Sequence, residues 1–395
     1  MEGQEAGPTA AAGAPTAAAS LKEVALVFLK LGTVAFGGPA AHIAMMEDEF
    51  VTRRQWLTRE QFLDRLGAAN LIPGPSSTEM AIFIGYEKRG WPGLLVAGCA
   101  FILPAAIMVA AIASAYVRYG TLPQVTGVLY ALKPVVIAVV IQAFWKLART
   151  AMKSIWLGIV GSVAALLYVL RLHEVLTLAI AAALAGAPVL YRRVRSSTGF
   201  SSLLLTRITP LRLSGVLAAT AVPFGLWRLF LVFAKIGAVL FGSGYVLLAF
   251  LQTDLVDRLH WLTERQLLDA VAVGQVTPGP VFTTATFIGY IIGGVPGAVV
   301  ATVGIFAPGF VYVALSGLLI PRIQRSRVAA SMLDGVVVGS LALIGVVAWQ
   351  LGRAAIVDVP TLVIAIVSTA LLLRFRVNSA WLIVTAGAFG WLYRG

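Results

Sequence analysis

The chain repeats one stretch of sequence, FLKLGTVAFGGP at residues 28–39, as FAKIGAVLFGSG at residues 233–244. Further matches follow at the same offset of 205 residues, which becomes 204 after a single-residue gap. The matched blocks are Trp56-Leu57-Thr58 with Trp261-Leu262-Thr263, Pro73-Gly74-Pro75 with Pro278-Gly279-Pro280, Ile84-Gly85-Tyr86 with Ile288-Gly289-Tyr290, and Pro104 with Pro308. The chain is therefore two copies of a unit of about 200 residues.

The composition of the 395 residues excludes a soluble protein. Apolar residues make up 59% and charged residues only 12%, whereas soluble domains carry about 25% charged residues. The net charge is +13, but most arginines stand between long apolar runs, where they flank membrane spans, so we expect no nucleic-acid partner. Cys99 is the single cysteine, which excludes a disulfide framework or a cysteine-based metal site.

Apolar runs near the length of about 20 residues that crosses a bilayer occur ten times. They lie at about residues 24–46, 91–117, 123–145, 155–171, 174–191, 226–251, 296–320, 329–351, 356–373 and 378–393. Two further stretches, 76–86 and 281–292, follow the Pro-Gly-Pro motifs and are too short to cross about 30 Å of hydrocarbon. We expect these two to be re-entrant helices.

This pattern predicts an all-α polytopic membrane protein with about ten spanning helices and two short re-entrant helices after Pro-Gly-Pro. The expected domains are a disordered tail at 1–23, an N-terminal repeat at 24–191, a basic cytoplasmic or interfacial linker at 192–223 and a C-terminal repeat at 224–395.

Each copy has an odd number of spans, five, so the two copies should face opposite ways across the membrane. Loop charges agree with inversion. The loop at 146–154 carries three basic residues, whereas its counterpart has only Arg353. Conversely, Arg118 stands alone where its counterpart loop, 322–327, has three arginines. Inverted repeats with broken helices are typical of secondary transporters, which bind substrate near the midplane between the repeats.

The Pro-Gly-Pro motifs predict an anion site. A proline suits the first turn of a new helix, whose free N–H groups and partial positive charge attract anions. Hydroxyl residues follow each motif and would donate hydrogen bonds to a tetrahedral oxyanion: Ser76, Ser77 and Thr78 in the first copy, Thr283 and Thr284 in the second. The alternative is a plain turn whose hydroxyls bond back to their own helix.

Lysines and glycines of the first span in each copy complete the predicted substrate site. Lys30 and Lys235 stand at matched positions within apolar runs, where a cation usually faces a cavity or a partner. Snorkelling to the interface is the alternative. The following glycine motifs should break the span and expose backbone groups, or allow close packing: Gly37 and Gly38 in the first copy, Gly242 and Ser243 in the second.

Three charged residues have expected roles in coupling and entry. Glu79 has no acidic counterpart in the second copy and either carries a proton or pairs with Lys88 or Arg89. Arg53 and Arg258 either steer an anion to the entrance or anchor the interface. The three histidines are scattered and no phosphate-binding loop is present, so we expect neither a metal nor another cofactor.

Several linked motifs carry a resemblance to a known family: FGGP at 36–39, the Arg-Trp-Leu-Thr block at 53–58, PGP at 73–75, IGY at 84–86 and WPG at 91–93, most of them duplicated downstream. The chain resembles the chromate ion transporter family in its long form with two homologous halves. The resemblance implies proton-motive-force-driven efflux of chromate, with sulfate as a related oxyanion, across the bacterial inner membrane and hence chromate resistance. The second copy departs from the pattern with FGSG, so we expect the first copy to make the main substrate contacts.

Other classes of function stay open at this point. An anion channel or a sulfate uptake carrier would use the same helix termini. A membrane enzyme acting on a lipid phosphate would need a base or a metal cluster, and the sequence offers only isolated histidines and acids, so we expect no enzyme. The expected partners are a small inorganic oxyanion, the lipid bilayer and, as a further candidate, a second copy of the chain in a homodimer.

Overall fold

A computed structural model describes residues 19–36, 38–196, 225–241, 244–375 and 377–394, and every regular element within them is helical. The α-helices, numbered in chain order, are α1 (Leu21–Val34), α2 (Pro39–Glu47), α3 (Arg59–Ala69), α4 (Ser76–Tyr119), α5 (Pro123–Ala151), α6 (Ile155–Val169), α7 (Glu174–Ser196), α8 (Leu226–Val239), α9 (Leu247–Leu251), α10 (Glu264–Val276), α11 (Thr284–Arg325), α12 (Arg327–Ala355), α13 (Val359–Arg374) and α14 (Ser379–Arg394). The predicted all-helical class is confirmed for this part of the chain.

Five of the described helices, α4, α5, α7, α11 and α12, contain segments long and apolar enough to cross a membrane. The predicted runs at 155–171, 356–373 and 378–393 form the shorter apolar helices α6, α13 and α14, of 15 or 16 residues each. A multi-pass membrane protein agrees with this set of helices, whereas the count of ten spans stays a prediction.

The short segments after Pro-Gly-Pro belong to helical hairpins. In α4 the backbone leaves helical geometry at Arg89 and Gly90, and in α11 it does so at Gly293 and Gly294 with nearly the same angles. A side chain at Gly85 would collide with the Gly93 carbonyl. Since eight residues of straight helix span about 12 Å, this contact requires the chain to double back. Gly289 and Gly297 make the same contact in α11.

The first span of each copy is broken where the glycine motifs predict a break. α1 ends at Val34 and α2 begins at Pro39, with Gly38 at φ 79° between them. In the second copy α8 ends at Val239, and helical structure resumes with a 3₁₀ turn at Gly244–Val246. Each of the runs 24–46 and 226–251 is therefore two helices rather than one.

Both predicted flanking segments lie mostly outside the described residues. Of the tail at 1–23, the structure describes residues 19–23, where Ser20 caps α1 and the helix begins at Leu21. Of the linker at 192–223, it describes residues 192–196, which continue α7. At both points helix extends beyond the boundary that the sequence predicts.

The two copies pack on each other through the hairpins α4 and α11, and also through α5, α6 and α7 of the first copy against α12, α13 and α14 of the second. α1 packs on α4, α8 packs on α11, and α4 and α11 pack together. Gly32 of α1 and Gly237 of α8 make this packing close, because a side chain at either position would collide with a carbonyl of the neighbouring hairpin, at Phe101 or Ile305. Each first span is therefore packed tightly on the hairpin of its own copy, and the two hairpins contact each other.

Candidate anion site at the crossing of the two halves

Each Pro-Gly-Pro turn bonds to the broken helix of the other half. The Gly74 N–H donates to the Leu240 carbonyl at 2.8 Å, and the Gly279 N–H donates to the Ala35 carbonyl at 2.9 Å. Both glycines have positive φ, 135° and 89°, which glycine adopts without the clash that a Cβ would cause. The structure thus brings together the turn motifs and the helix breaks that the sequence singles out separately.

His42 of α2 connects the first helix break to the first short helix. Its Nε2 lies 3.0 Å from the Ala35 carbonyl oxygen and its Nδ1 lies 3.2 Å from Ser77 Oγ. The histidine is buried, and the Phe101 ring packs edge-on against it at 5.8 Å. Sequence reasoning missed this residue because its partners are 7 and 35 positions away along the chain, so no local spacing marks it.

The start of the first short helix holds buried polar groups without partners. Thr78 Oγ1 and both Glu79 carboxylate oxygens have no hydrogen-bond partner among the described residues, and both side chains are buried. The Glu79 carboxylate folds back toward its own turn, where a side chain at Gly74 would collide with it. Lys88 instead contacts the Trp56 carbonyl and Arg89 the Ala19 carbonyl. Neither predicted pairing of Glu79 is therefore present.

The matching hydroxyls of the second copy bond back to their own turn. Thr283 Oγ1 donates to the Pro280 carbonyl at 2.8 Å, and Thr284 Oγ1 donates to the Val281 carbonyl at 2.8 Å. The sequence leaves open, for both copies, a plain turn whose hydroxyls bond back to the backbone instead of to an anion. The second copy has this arrangement. In the first copy, by contrast, the buried Thr78 hydroxyl has no partner among the described residues.

Three predicted site residues lie outside the described residues: Gly37, Gly242 and Ser243. Gly38 is described, and a side chain there would meet open space within 4 Å. Ser76 is half-buried at the start of α4. These two residues border the break and the short helix of the first copy, as their motifs predict.

Lys30 and Lys235 each face an acid at a matched position. Lys30 Nζ lies 3.7 Å from Glu49, and Lys235 Nζ contacts Asp254, which is Glu49's counterpart at the offset of 205. Both acids stand in π-helical turns, at Asp48–Arg53 and Gln252–Arg258, a rare geometry that often marks functional sites. Each predicted anion-attracting lysine thus has its own counter-ion.

The surroundings of these two lysines differ strongly. The Lys30 side chain is 59% exposed, whereas that of Lys235 is 27% exposed and also bonds to Glu174 at 2.8 Å. Glu174 and Asp254 are fully buried, so the single ammonium of Lys235 lies against two desolvated carboxylates, and Arg258 adds a second positive charge beside Asp254 at 2.8 Å. His173, Glu174 and Asp254 place ligand atoms within 4.8 Å of one another, but Lys235 already binds both acids.

Arginines surround the first of these acids and balance its charge. Arg54 donates to Glu49 at 2.7 Å and to Glu23 at 2.6 Å. Burial alone would raise the pKa of the Glu49 carboxyl, but the hydrogen bond from Arg54 and the positive charges of Lys30, Arg54 and Arg53 hold that pKa below its ordinary value. Glu49 therefore stays ionised beside Lys30 near neutral pH.

The two predicted entrance arginines also pair with acids. Arg53 lies 2.8 Å from Asp48, and Arg258 lies 2.8 Å from Asp254 and 3.3 Å from His173. Their side chains are 63% and 48% exposed. Sequence reasoning missed the acidic partners, although the matched pair Glu49 and Asp254, each 19 residues after its lysine, is a signal that the repeat alignment contains.

Comparison with known proteins shows the family. The sequence profile of the chromate transporter family matches residues 22–187 and 227–391. The chromate transport protein of Cupriavidus metallidurans is 34% identical over 377 residues, which cover 93% of this chain and 92% of that protein. The probable chromate transport protein of Synechococcus elongatus is 32% identical, over 88% of this chain and 89% of that protein. The chain belongs to the chromate transporter family.

A shorter relative matches part of the chain. The uncharacterized transporter YwrA of Bacillus subtilis is 31% identical over 130 residues, which cover 33% of this chain and 73% of that protein. No solved structure matches the chain. The family is one of transporters, and the apolar helices agree with a multi-pass membrane protein.

Proposed function

We propose that the chain exports chromate, or a related oxyanion such as sulfate, across the bacterial inner membrane and thereby confers chromate resistance. Two relatives that match over 90% or more of both chains are named chromate transport proteins, and this supports chromate as the substrate. The observation that carries the site is the start of the first short helix. There Ser77 and Thr78 are buried, and Thr78 Oγ1 has no partner among the described residues.

In the proposed binding mode, the oxyanion accepts hydrogen bonds from the hydroxyls of Ser76, Ser77 and Thr78 and from the N–H groups of Ser76 and Ser77, since those of Thr78 and Glu79 bond to the Pro75 carbonyl. Gly38 leaves open space at the helix break beside it. Lys30 and Lys235 raise the local concentration of anions from the two flanks, and Arg53 and Arg258 do so at the entrances. The second-copy residues Thr283 and Thr284 hold the opposite turn in place.

In the proposed cycle, the two repeats are inverted and rock against each other around the contacts of Gly74 with Leu240 and of Gly279 with Ala35. The site then opens alternately to either side of the membrane. The membrane potential favours expulsion of an anion by about 2.3 kcal/mol per charge per 100 mV. Glu79 couples the cycle to protons, since a buried carboxyl without a partner is far less costly when neutral.

The first experiment measures transport by the full chain purified into proteoliposomes, with ⁵¹Cr-chromate and an imposed pH gradient. We expect saturable uptake that the gradient accelerates. Glu79→Gln should keep exchange of chromate and lose the acceleration. Glu87→Gln is the matched control, because Glu87 stands in the same short helix but pairs with Arg65 at 2.9 Å.

Three outcomes would contradict the proposal in different ways. Absence of chromate flux would remove the substrate assignment. Flux that barely saturates and ignores the gradient would indicate an oxyanion channel. Acceleration that persists in Glu79→Gln would remove the proton role of Glu79 alone.

A second experiment tests the inversion. Arg149→Cys and Arg353→Cys are introduced separately into a Cys99→Ser background, since Cys99 is exposed and would react itself. An impermeant thiol reagent should label the two from opposite sides of the membrane. Labelling of both from the same side would disprove inversion.

A further inference from the structure

The tautomer of His42 is fixed by its partners. A backbone carbonyl only accepts hydrogen bonds, so the ring nitrogen 3.0 Å from the Ala35 oxygen, Nε2, carries a hydrogen. In the neutral ring Nδ1 is then an acceptor. Ser77, whose Oγ lies 3.2 Å away, must donate its single hydroxyl hydrogen to it.

This arrangement decides what Ser77 presents to a ligand. While its hydrogen points at Nδ1, the oxygen offers only lone pairs elsewhere, and lone pairs repel an oxyanion. When the ring gains a second proton, Nδ1–H donates to Ser77 Oγ instead. The hydroxyl hydrogen is then free to donate to an anion, and the positive charge of the imidazolium adds an attraction.

We propose that His42 is a positioning residue that links one proton to oxyanion binding, because Ser77 donates to the anion only when the ring is doubly protonated. The inference rests on the proposed function, since it assumes an oxyanion beside Ser77. Linkage is reciprocal, so the bound anion increases the proton affinity of the ring by the factor by which the proton increases anion affinity.

The polar and charged groups near the His42 ring come from the first span, from α4 and from the turn of the second half. α1 offers the Ala35 carbonyl and the remote Lys30, which pairs with Glu49. α4 offers Ser77, the Phe101 ring and, two residues beyond Ser77, Glu79. The turn of the second half adds only the Gly279 N–H, which shares the Ala35 carbonyl.

The second copy lacks the device. Leu247 occupies the position matched to His42, and Thr283 and Thr284 donate to their own turn. Proton linkage through a ring and a hydroxyl is therefore a property of the first copy, where the hydroxyls of the predicted site lie.

The test is exchange of ⁵¹Cr-chromate by the full chain in proteoliposomes with equal pH on both sides, from about pH 8 to about pH 5.5. Chromate itself titrates in this range, so the readout is the ratio of the half-saturation concentration of His42→Gln to that of the wild type at each pH. The ratio should rise from near one to about tenfold as the pH falls, because one linked proton changes affinity by up to tenfold per pH unit. Glutamine keeps a donor and an acceptor but cannot gain the proton.

His260→Gln is the matched control. His260 is exposed, and Gln55 stands at the matched position of the first copy with φ 51°, against 52° for His260. Its ratio should stay near one at every pH. Ser77→Ala, a smaller change than His42→Gln, should also lose the wild-type rise in affinity at low pH.

Two results would overturn the inference. A His42→Gln ratio that is the same at every pH would mean a purely structural ring, and a Ser77→Ala variant with wild-type pH dependence would mean that the hydroxyl is not the link. If the wild type exchanges no chromate at all, the proposed function fails instead, which separates the two failures.

Discussion

At the start of the first short helix, the side-chain oxygens of Thr78 and Glu79 have no partners among the described residues. At the matched start of the second, the hydroxyls of Thr283 and Thr284 both donate to carbonyls of their own turn. The lysines show the opposite contrast. Lys30 is exposed beside a single acid at 3.7 Å, whereas Lys235 is held by Glu174 and by Asp254.

This comparison separates two tasks that one duplicated backbone performs. Buried polar groups without partners destabilise a fold unless a ligand satisfies them. The first copy keeps such groups at its short helix, which favours binding there. The second copy satisfies its hydroxyls, and its Lys235 and Asp254 form a buried ion cluster with Glu174 of the first copy, which favours a rigid support.

The largest expected difference between the copies concerns the lysines. Lys235→Met leaves Glu174 and Asp254 buried without the ammonium they share, and breaking a buried pair costs about 3–5 kcal/mol. Lys30→Met removes a solvent-screened pair and should cost about 0–1 kcal/mol. Denaturant unfolding of each variant in detergent micelles measures both losses. Equal losses would mean that the two lysines stabilise the fold alike.

The next prediction compares the loss of stability from a side chain at Gly279, in the second Pro-Gly-Pro turn, with that from a side chain at Gly38, in the first helix break. A Cβ at Gly279 would lie 2.6 Å from Ala105 Cβ at a φ of 89°, whereas one at Gly38 has a similar φ of 79° but open space around it. Gly279→Ala should therefore lower the free energy of unfolding by about 2–4 kcal/mol, and Gly38→Ala by about 1–2 kcal/mol. The same unfolding assay applies. A larger loss of unfolding free energy in Gly38→Ala than in Gly279→Ala would mean that the helix break is packed more tightly than the Pro-Gly-Pro turn.

The smallest expected effect concerns the hydroxyls of Thr78 and Thr284 and is measured as the half-saturation concentration for chromate transport. Thr78→Val should raise the half-saturation concentration for chromate about ten- to hundredfold, since a hydrogen bond to a charged ligand contributes about 1.5–3 kcal/mol. Thr284→Val, whose hydroxyl bonds only to its own turn, should leave it within about twofold. Equal losses in both variants would place substrate contacts in both copies.

Much of the fold follows from patterns within the chain. Capping boxes, formed by Thr58 with Gln61 and by Thr263 with Gln266, start α3 and α10, and this spacing of a threonine and a glutamine is a local signature of a helix start. A glycine motif lies at the break in both first spans, and in the first copy Pro39 starts the new helix. The sequence also places a boundary between the short stretch at 76–86 and the run at 91–117, and the backbone leaves helical geometry in that gap, at Arg89 and Gly90.

The candidate site shows where sequence reasoning ends. The motif residues Ser77 and Thr78 are correctly predicted to begin a helix, because proline and hydroxyl residues act locally. The partners of the buried groups come from distant segments: Glu174 reaches Lys235 from 61 positions away, and Gly279 reaches Ala35 from the other half. Such pairings depend on packing between helices, which residue spacing does not encode.

The exchanged hydrogen bonds of Gly74 with Leu240 and Gly279 with Ala35 bear on how shorter chains assemble. Each copy supplies a turn N–H to a carbonyl at the helix break of the other copy, so both breaks are completed by the two copies together. A chain with a single copy has no second Pro-Gly-Pro turn to supply that N–H. Two such chains would reach the arrangement that this chain achieves by duplication if each inserted its turn into the break of its neighbour.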